Sequence, residues 1–188
     1  MLIIGITGTL GAGKGTIVDY LVREKGFAHY SARDFIVEEI KRRGLPVNRD
    51  TMTPMANELR ETHGPSYIVD ELYAKAISAA KDALIESIRA VAEAESLKEK
   101  SNFVLFAVDA DSRIRYERIF ARQSETDQIS YEKFLADEAR EFANPEPHKQ
   151  NLKACIDLAD YRFQNNGTVE ELESAVERAL GEIHQRIL

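Results

Sequence analysis

The sequence predicts an α/β protein with a five-stranded parallel sheet between two layers of helices, a three-layer α/β/α arrangement. Two observations lead to this prediction. Short apolar runs alternate with longer amphipathic stretches, which is the pattern of parallel strands joined by covering helices. The first apolar run leads directly into a glycine-rich turn and then a helical pattern. The 188 residues suit one domain, with a small lid at most.

The first third of the chain supplies two strands and two helices. Residues 2–7 form an apolar run typical of a buried strand. The helix predicted over 14–25 carries apolar residues at helical spacing and ends at a glycine. A second, short strand follows over 27–30. Ser31 then has the character of an N-cap and predicts a helix over 32–43, which ends at a glycine and a nearby proline.

The middle third supplies two helices and two strands. The helices predicted over 51–62 and 65–80 are divided by a Gly-Pro pair. The third strand is short and apolar and ends on Glu86. The fourth strand, over 103–108, has the clearest apolar run after the first. No element is assigned to 87–102.

The last third begins with a helix predicted over 112–122. A polar stretch follows, in which 130–142 fits a helix. Residues 151–158 suit a helix, and 160–164 a fifth strand. A terminal helix is predicted over 168–187, because a Thr-x-x-Glu capping box precedes its apolar pattern.

Composition limits the classes of function. The net charge of −7 argues against broad nucleic-acid binding. The single cysteine, Cys155, excludes an internal disulfide and is typical of a reducing cytosol. No apolar run reaches the roughly 18 residues that a membrane span needs. We therefore expect a cytoplasmic protein without membrane or nucleic-acid partners, either a monomer or a homodimer.

Residues 8–16 form the most specific motif in the chain, Gly-Thr-Leu-Gly-Ala-Gly-Lys-Gly-Thr. A glycine-rich turn between a buried strand and a helix is a phosphate-binding loop, because its backbone N–H groups and the helix dipole both face an anion. Lys14 adds a full charge for the β and γ phosphates. The turn after the fifth strand can flank the adenine through its backbone. The residues assigned to ATP are Gly8, Leu10, Gly11, Ala12, Gly13, Lys14, Gly15, Thr16, Asn166 and Gly167.

Polar side chains at the carboxyl ends of strands form the rest of the predicted site, because ligands bind beyond those ends in open parallel sheets. Glu86 is the candidate carboxylate for magnesium, since phosphoryl transfer needs a metal to offset the charge of the phosphates. An exposed glutamate that pairs with a nearby cation is the alternative. Asp34 can orient or deprotonate an acceptor, or contact magnesium through water. Arg33, Arg60 and Arg89 are candidates for an acceptor phosphate. Ordinary surface ion pairs would also explain these arginines.

A cationic helix face precedes the polar stretch 123–150. Arg115, Arg118 and Arg122 lie at i, i+3 and i+7, on one face of the predicted helix. A lid that closes over the triphosphate would use such a face and exclude water. Arg118 and Arg122 are assigned to catalysis. A solvated face in which Asp111 pairs with Arg115 is the alternative.

Several short motifs, in order, resemble the nucleoside monophosphate kinase and dephospho-CoA kinase group of P-loop proteins. The motifs are the adenylate-kinase-type loop ending Gly-Lys-Gly-Thr, Ser-Ala-Arg-Asp at 31–34, Glu-Ser-Ile-Arg at 86–89, the arginine-lined helix, and the stretch 159–172. The resemblance implies a P-loop kinase core (1–30, 82–122 and 151–188), a helical acceptor-binding region (31–80) and a lid-like segment (123–150). It also implies that Lys14 and the loop amides hold ATP, and that Thr16 or Gly15 lies near Mg²⁺.

The sequence departs from both groups at points that bear on the acceptor. Adenylate kinases carry Asp-Gly-aromatic-Pro-Arg after the third strand, whereas residues 86–89 lack that glycine and proline. Dephospho-CoA kinases usually carry Gly-Lys-Ser in the loop and two aspartates after the second strand, whereas only Asp34 is present here. No motif therefore fixes the acceptor.

The function predicted is transfer of the γ-phosphoryl group of ATP to a small phosphorylated acceptor, a (deoxy)nucleoside monophosphate in the first instance. Dephospho-CoA is the alternative acceptor. An ATP-binding regulatory module without efficient transfer is the alternative class. A GTP switch is disfavoured, because the chain has neither an Asn-Lys-x-Asp nor an Asp-x-x-Gly string.

Overall fold

The computed structural model describes residues 1–122, 129–142 and 149–187, and these residues form alternating strands and helices. The strands are β1 (Ile3–Gly8), β2 (Ala28–Ser31), β3 (Ala83–Glu86), β4 (Phe103–Asp109) and β5 (Tyr161–Gln164). The helices are α1 (Lys14–Lys25), α2 (Ala32–Arg42), α3 (Arg49–His63), α4 (Tyr67–Ala79), α5 (Val91–Lys98), α6 (Ser112–Ala121), α7 (Tyr131–Phe142), α8 (Leu152–Asp157) and α9 (Val169–Ile187).

The sheet has five parallel strands in the order β2-β3-β1-β4-β5. Successive side chains of a strand point to opposite faces, so neighbours such as Ile3 and Ile4 belong to different cores. One core packs α2, α3, α4, α5 and α8 on one face, and the other packs α1 and α9 on the opposite face. The predicted three-layer α/β/α class is confirmed. Its central strand, β1, delivers the phosphate-loop sequence to the middle of the carboxyl edge.

Every strand and helix predicted from the sequence is present, with ends that shift by a few residues. Ser31 caps α2 by accepting the N–H of Asp34 at 3.2 Å. Thr168 and Glu171 form the expected capping box of α9. The sequence analysis missed α5. Its buried face includes a carboxylate, Glu93, which breaks the apolar periodicity by which helices are found.

Parts of the predicted lid-like segment, 123–128 and 143–148, lie outside the described residues. Within the described ranges, no helix combines the length and apolar character needed to cross a bilayer. Cys155 is buried on α8. Burial, with a further contribution from the charge of Glu93, raises the pKa of its thiol to about 12. The thiol is therefore neutral, which agrees with a packing role.

Candidate active site

The loop between β1 and α1 has the backbone of a phosphate cradle. Gly13, at the N-cap of α1, has φ 107° and ψ 22°. Gly8 has φ 138°, and a Cβ there would lie 2.0 Å from the carbonyl oxygen of Val108. Side chains are excluded at both positions, so the glycines of the motif are required by geometry. The N-terminus of α1 follows directly, so the positive end of its helix dipole lies at the loop.

Lys14 folds over this loop. Its Nζ donates to the carbonyl oxygens of Gly8 at 2.8 Å and Thr9 at 2.7 Å. The ammonium group is therefore held against the first two residues of the loop, and its assignment to the β and γ phosphates remains a prediction. The half-buried Thr16 lies in the first turn of α1, and Leu10, Gly11, Ala12 and Gly15 complete the loop.

Two distant side chains anchor the loop, and the sequence analysis did not assign either to the site. Asp109, at the end of β4, accepts a hydrogen bond from the hydroxyl of Thr9. Asn165, after β5, donates its Nδ2 to the carbonyl oxygen of Ala12 at 2.8 Å. Both contacts join loop residues to the ends of neighbouring strands. They hold the cradle in shape before any ligand binds, which is the arrangement that electrostatic catalysis needs.

Glu86 lies at the end of β3, next to β1, where it pairs in register with Ile6. Its side chain is 21% exposed, and its carboxylate is 3.6 Å from Nε2 of His29. The ion pair with His29 lowers the pKa of Glu86, and the positive charge of Lys14 contributes in the same direction. Glu86 is therefore an ionised carboxylate within the electrostatic reach of the phosphate-loop lysine.

His29 is a site residue that the sequence analysis did not assign. The ion pair with Glu86 raises its pKa, and the charges of Asp34 and Asp19 add to this effect. The imidazole is thus biased toward its cationic form at the sheet edge. The only sequence signal was its place on β2, one strand away from Glu86.

The candidate magnesium ligands fit that ion. Mg²⁺ in nucleotide sites is bound by one or two carboxylates and the substrate phosphates, with water in the remaining positions. The described residues contain no cluster of three or more histidine, cysteine or acidic side chains that could hold a metal. Glu86 and the hydroxyl of Thr16 are hard oxygen donors near the loop, which matches a shared site completed by phosphates.

Arg33 and Asp34 are both exposed in the first turn of α2, directly beyond the end of β2. Asp34 also contributes its backbone N–H to the Ser31 cap, so the cap fixes where this turn begins. Both side chains are exposed at this edge, and their roles toward the acceptor remain predictions.

Arg89 follows β3 on a tightly held turn. Its side chain is half-buried, and Nη1 lies 3.4 Å from Oε1 of Gln150. Ser87, two residues earlier, has φ 69°, a left-handed conformation that L-residues avoid. The turn thus adopts a conformation that favours glycine, although glycine is absent from the sequence at this point.

Arg60 is not an open acceptor-binding side chain, which corrects the expectation from the sequence. It is 4% exposed. Its Nε and Nη2 donate to Oε1 of Glu93 at 2.9 and 2.7 Å. The Glu93 carboxylate compensates the charge of the guanidinium, and burial removes the guanidinium from solvent. The sequence placed Arg60 correctly on a helix, α3, but could not reveal Glu93 as its partner.

The three arginines predicted to share a helix face have different surroundings. Arg115 is 5% exposed. It pairs with Glu138 of α7 and not with Asp111, and its Nη1 lies 3.4 Å from the carbonyl oxygen of Leu10. Arg118 donates to the carbonyl oxygens of Asn165 at 2.9 Å and Gly167 at 3.4 Å, beside the phosphate loop. Arg122 is exposed at the end of α6.

The turn after β5 lies next to the loop through Asn165 rather than through the assigned Asn166. The exposed Asn166 accepts the backbone N–H of Asp111 at 2.8 Å. Gly167 is also exposed and accepts from Arg118. Their assignment to the adenine remains a prediction.

Comparisons with known proteins identify the family. A family model described as an AAA domain matches residues 4–142. A UPF0200 protein of Methanococcus vannielii is 30% identical over 168 residues, which cover 88% of this chain and 87% of that protein. The chain belongs to the AAA domain family and to the UPF0200 proteins. A second UPF0200 protein, from Hyperthermus butylicus, is 29% identical and covers 97% of this chain and 95% of its own.

Solved structures share the fold of this UPF0200 protein. Shikimate kinase from Acinetobacter baumannii, in complex with shikimate, superposes with a TM-score of 0.60 at 15% identity and covers 97% of this chain and 94% of its own. A gluconokinase from Sinorhizobium meliloti gives a TM-score of 0.58 at 10% identity and covers 99% and 95%. At these identities the likeness establishes the fold alone. The UPF0200 protein therefore has a P-loop, kinase-like α/β fold.

Proposed function

We propose that the protein transfers the γ-phosphoryl group of ATP to a small phosphorylated acceptor, and that the acceptor is a (deoxy)nucleoside monophosphate. The observation that carries this proposal is the position of Lys14 in the glycine cradle, 2.8 and 2.7 Å from the carbonyl oxygens of Gly8 and Thr9. The ionised Glu86 stands one strand away at the same edge. A cation for the phosphates and a carboxylate for their metal are the two parts that phosphoryl transfer needs first.

The transfer is an in-line displacement. An oxygen of the acceptor phosphate attacks the γ-phosphorus, the bond from that phosphorus to the β–γ bridging oxygen breaks, and ADP leaves. Lys14 and the loop amides stabilise charge on the β and γ oxygens, and Arg118 is beside the loop to do the same. Magnesium, held by Glu86 and Thr16, would supply further neutralisation of the phosphates. Arg122 would join from the lid side when the site excludes water.

Arg33, Asp34 and Arg89 surround the acceptor side of the site. All three follow β2 or β3, which adjoin on the same side of β1. Two arginines offer planar donors that match a phosphate. This concentration of cations beyond the loop favours an acceptor that carries its own phosphate over a neutral one such as a simple sugar.

The turn at Ser87 bears on the alternative of a regulatory module without transfer. Although the sequence lacks glycine there, the backbone is left-handed at φ 69°. A strained conformation of this kind costs about 1–3 kcal/mol and persists where the surrounding structure requires it. The left-handed conformation of this turn beside Arg89 supports an acceptor-handling role.

An ADP-release assay with a panel of acceptors tests the proposal. Wild-type protein with ATP and Mg²⁺ is given each (d)NMP, dephospho-CoA, shikimate and gluconate. We expect release that depends on one or more nucleoside monophosphates. Release with dephospho-CoA alone would replace the acceptor class, and ATP binding without release under any condition would show a binding module.

Lys14→Ala tests the role of the loop. We expect transfer to fall by about two to three orders of magnitude, the effect of removing one preorganised donor from a developing charge. Lys25→Ala is the matched control, because Lys25 lies on the same helix and pairs with Glu177 on the surface. Equal turnover in both variants would rule out the proposed mechanism.

A further inference from the structure

A buried carboxylate joins helix α3 to the turn that carries Arg89. Glu93 is 0% exposed. Its Oε1 accepts from Nε and Nη2 of Arg60 at 2.9 and 2.7 Å. Its Oε2 accepts the backbone N–H groups of Arg89 at 3.0 Å and Ala90 at 3.1 Å. One side chain therefore makes four hydrogen bonds and links α3 to the segment between β3 and α5.

The backbone of Arg89 is fixed on both sides. Glu93 holds its N–H group, and the backbone N–H of Asn151 donates to its carbonyl oxygen at 2.8 Å. The preceding residue, Ile88, accepts the hydroxyl of Thr7 at 2.8 Å, which ties the turn to the central strand. The side chain of Arg89 thus departs from a point whose position is set relative to the phosphate loop.

Glu93 closes the capping box of α5 through the N–H of Ala90, which stabilises that helix, but the ion pair with Arg60 needs a further explanation. Breaking a buried ion pair is costly, but replacing both partners with apolar residues of similar volume is often neutral or stabilising. Among the described residues, Nη1 of Arg60 has no hydrogen-bond partner, so the pair carries an unpaired buried donor as well. What an apolar pair could not do is accept the two N–H groups of the Arg89 turn.

We propose that Glu93 and Arg60 are positioning residues that set Arg89 for the phosphate of the acceptor. Arg60 orients the Glu93 carboxylate through two nitrogens, and the other carboxylate oxygen holds the turn. The inference rests on the proposed function for the identity of the ligand. It extends that function by giving the buried pair a role in acceptor recognition, without contact between the pair and the acceptor.

Glu93→Gln separates acceptor recognition from ATP use. A glutamine has one carbonyl oxygen, so it can serve Arg60 or the two N–H groups but not both, and its amide nitrogen faces donors. We expect the KM of the nucleoside monophosphate to rise about tenfold to a hundredfold, the effect of a misplacement of about 1 Å. The KM of ATP should stay at the wild-type value. Glu95→Gln, on the exposed face of the same helix, is the matched control.

A double variant guards against simple unfolding. Arg60→Met with Glu93→Leu removes both buried charges together, so the chain should stay folded. The melting temperature should fall, because the N–H groups of Arg89 and Ala90 lose their acceptor. The acceptor KM should nevertheless rise as it does in Glu93→Gln. A folded double variant with the wild-type acceptor KM would overturn the inference.

Amide hydrogen exchange gives a readout that needs no enzymatic activity. In the ligand-free protein, the N–H groups of Arg89 and Ala90 should exchange slowly in the wild type and in Glu95→Gln. Exchange at these two sites should be much faster in the double variant. Failure of the wild type to use any acceptor would remove the proposed function, whereas unchanged exchange in the double variant would remove the positioning role.

Discussion

Two glycines of the phosphate loop, two residues apart, should respond in opposite ways to the same substitution. Gly13 has φ 107°, and a Cβ there would lie 2.3 Å from Nδ2 of Asn165. That nitrogen donates to the buried carbonyl of Ala12 at 2.8 Å. Gly13→Ala therefore forces an L-residue into an unfavourable conformation and displaces the side chain that anchors the loop.

The magnitude follows from these two effects. The backbone conformation costs about 1–2 kcal/mol, and a buried carbonyl that loses its partner costs about 1–3 kcal/mol. Gly13→Ala should therefore destabilise the protein by about 2–5 kcal/mol. In a chain of this size, 1 kcal/mol corresponds to about 2–4 °C, so the melting temperature should fall by about 4–20 °C.

Gly15 is the matched control on the same loop. A Cβ at Gly15 meets nothing within 4 Å. The residue lies in the first turn of α1, where alanine is favoured over glycine by about 0.5–1 kcal/mol. Gly15→Ala should raise the melting temperature by about 1–4 °C. Thermal unfolding followed by circular dichroism measures both variants. Shifts of the same sign, or a Gly13→Ala protein that melts at the wild-type temperature, would refute the argument.

Three further predictions concern the surroundings of the loop. Ser87→Gly should stabilise the protein against urea by up to about 1 kcal/mol, because relief of left-handed strain exceeds the added entropy of the unfolded chain; an unchanged or lower midpoint would show that Ser87 is unstrained. The raised pKa of His29 means that its ion pair with Glu86 stabilises the fold fully below the unfolded pKa of about 6.5 and that this stabilisation is lost as the pH rises through the folded pKa. The stability difference between wild type and His29→Gln should accordingly shrink as the pH rises, and a constant difference would contradict the pairing. Arg118→Ala should lower the turnover number by about a hundredfold or more, whereas Arg113→Ala, exposed on the same helix, should leave it unchanged; equal effects would make Arg118 an ordinary surface residue.

The fold could be predicted because its strands are continuous apolar runs and its helices have strong periodicity. Ile3, Ile4 and Ile6 are all fully buried, as a central parallel strand requires. The phosphate loop could be predicted equally well, because its glycines are required by the local backbone conformation and their spacing is visible in the sequence. The α5 helix was not predicted, because the buried Glu93 interrupts its apolar pattern and the partner of Glu93 is 33 residues away in sequence.

Supports of the site were missed for a related reason. The bond from Thr9 to Asp109 spans 100 residues, and that from Asn165 to Ala12 spans 153. An aspartate after a strand or an asparagine in a turn has many ordinary roles, and nothing in its neighbours tells which carbonyl or hydroxyl it meets. The sequence assigns candidate ligand-binding groups from their chemistry, but it does not reveal which residues hold those groups in place.

The arginines show why residue type and helical spacing do not assign a role. Arg115 and Arg118 lie on one face of α6, as predicted. Arg115 is paired with Glu138, however, whereas Arg118 donates to the turn beside the loop. The side chain of Arg60 is likewise paired with Glu93, whereas Arg89 donates its backbone N–H to the same carboxylate. A guanidinium is available to a ligand only if it is not already paired with a carboxylate of the protein. Which carboxylates are buried beside it is decided by the folded chain. Which of these arginines are paired within the protein therefore follows from where the acidic residues are buried.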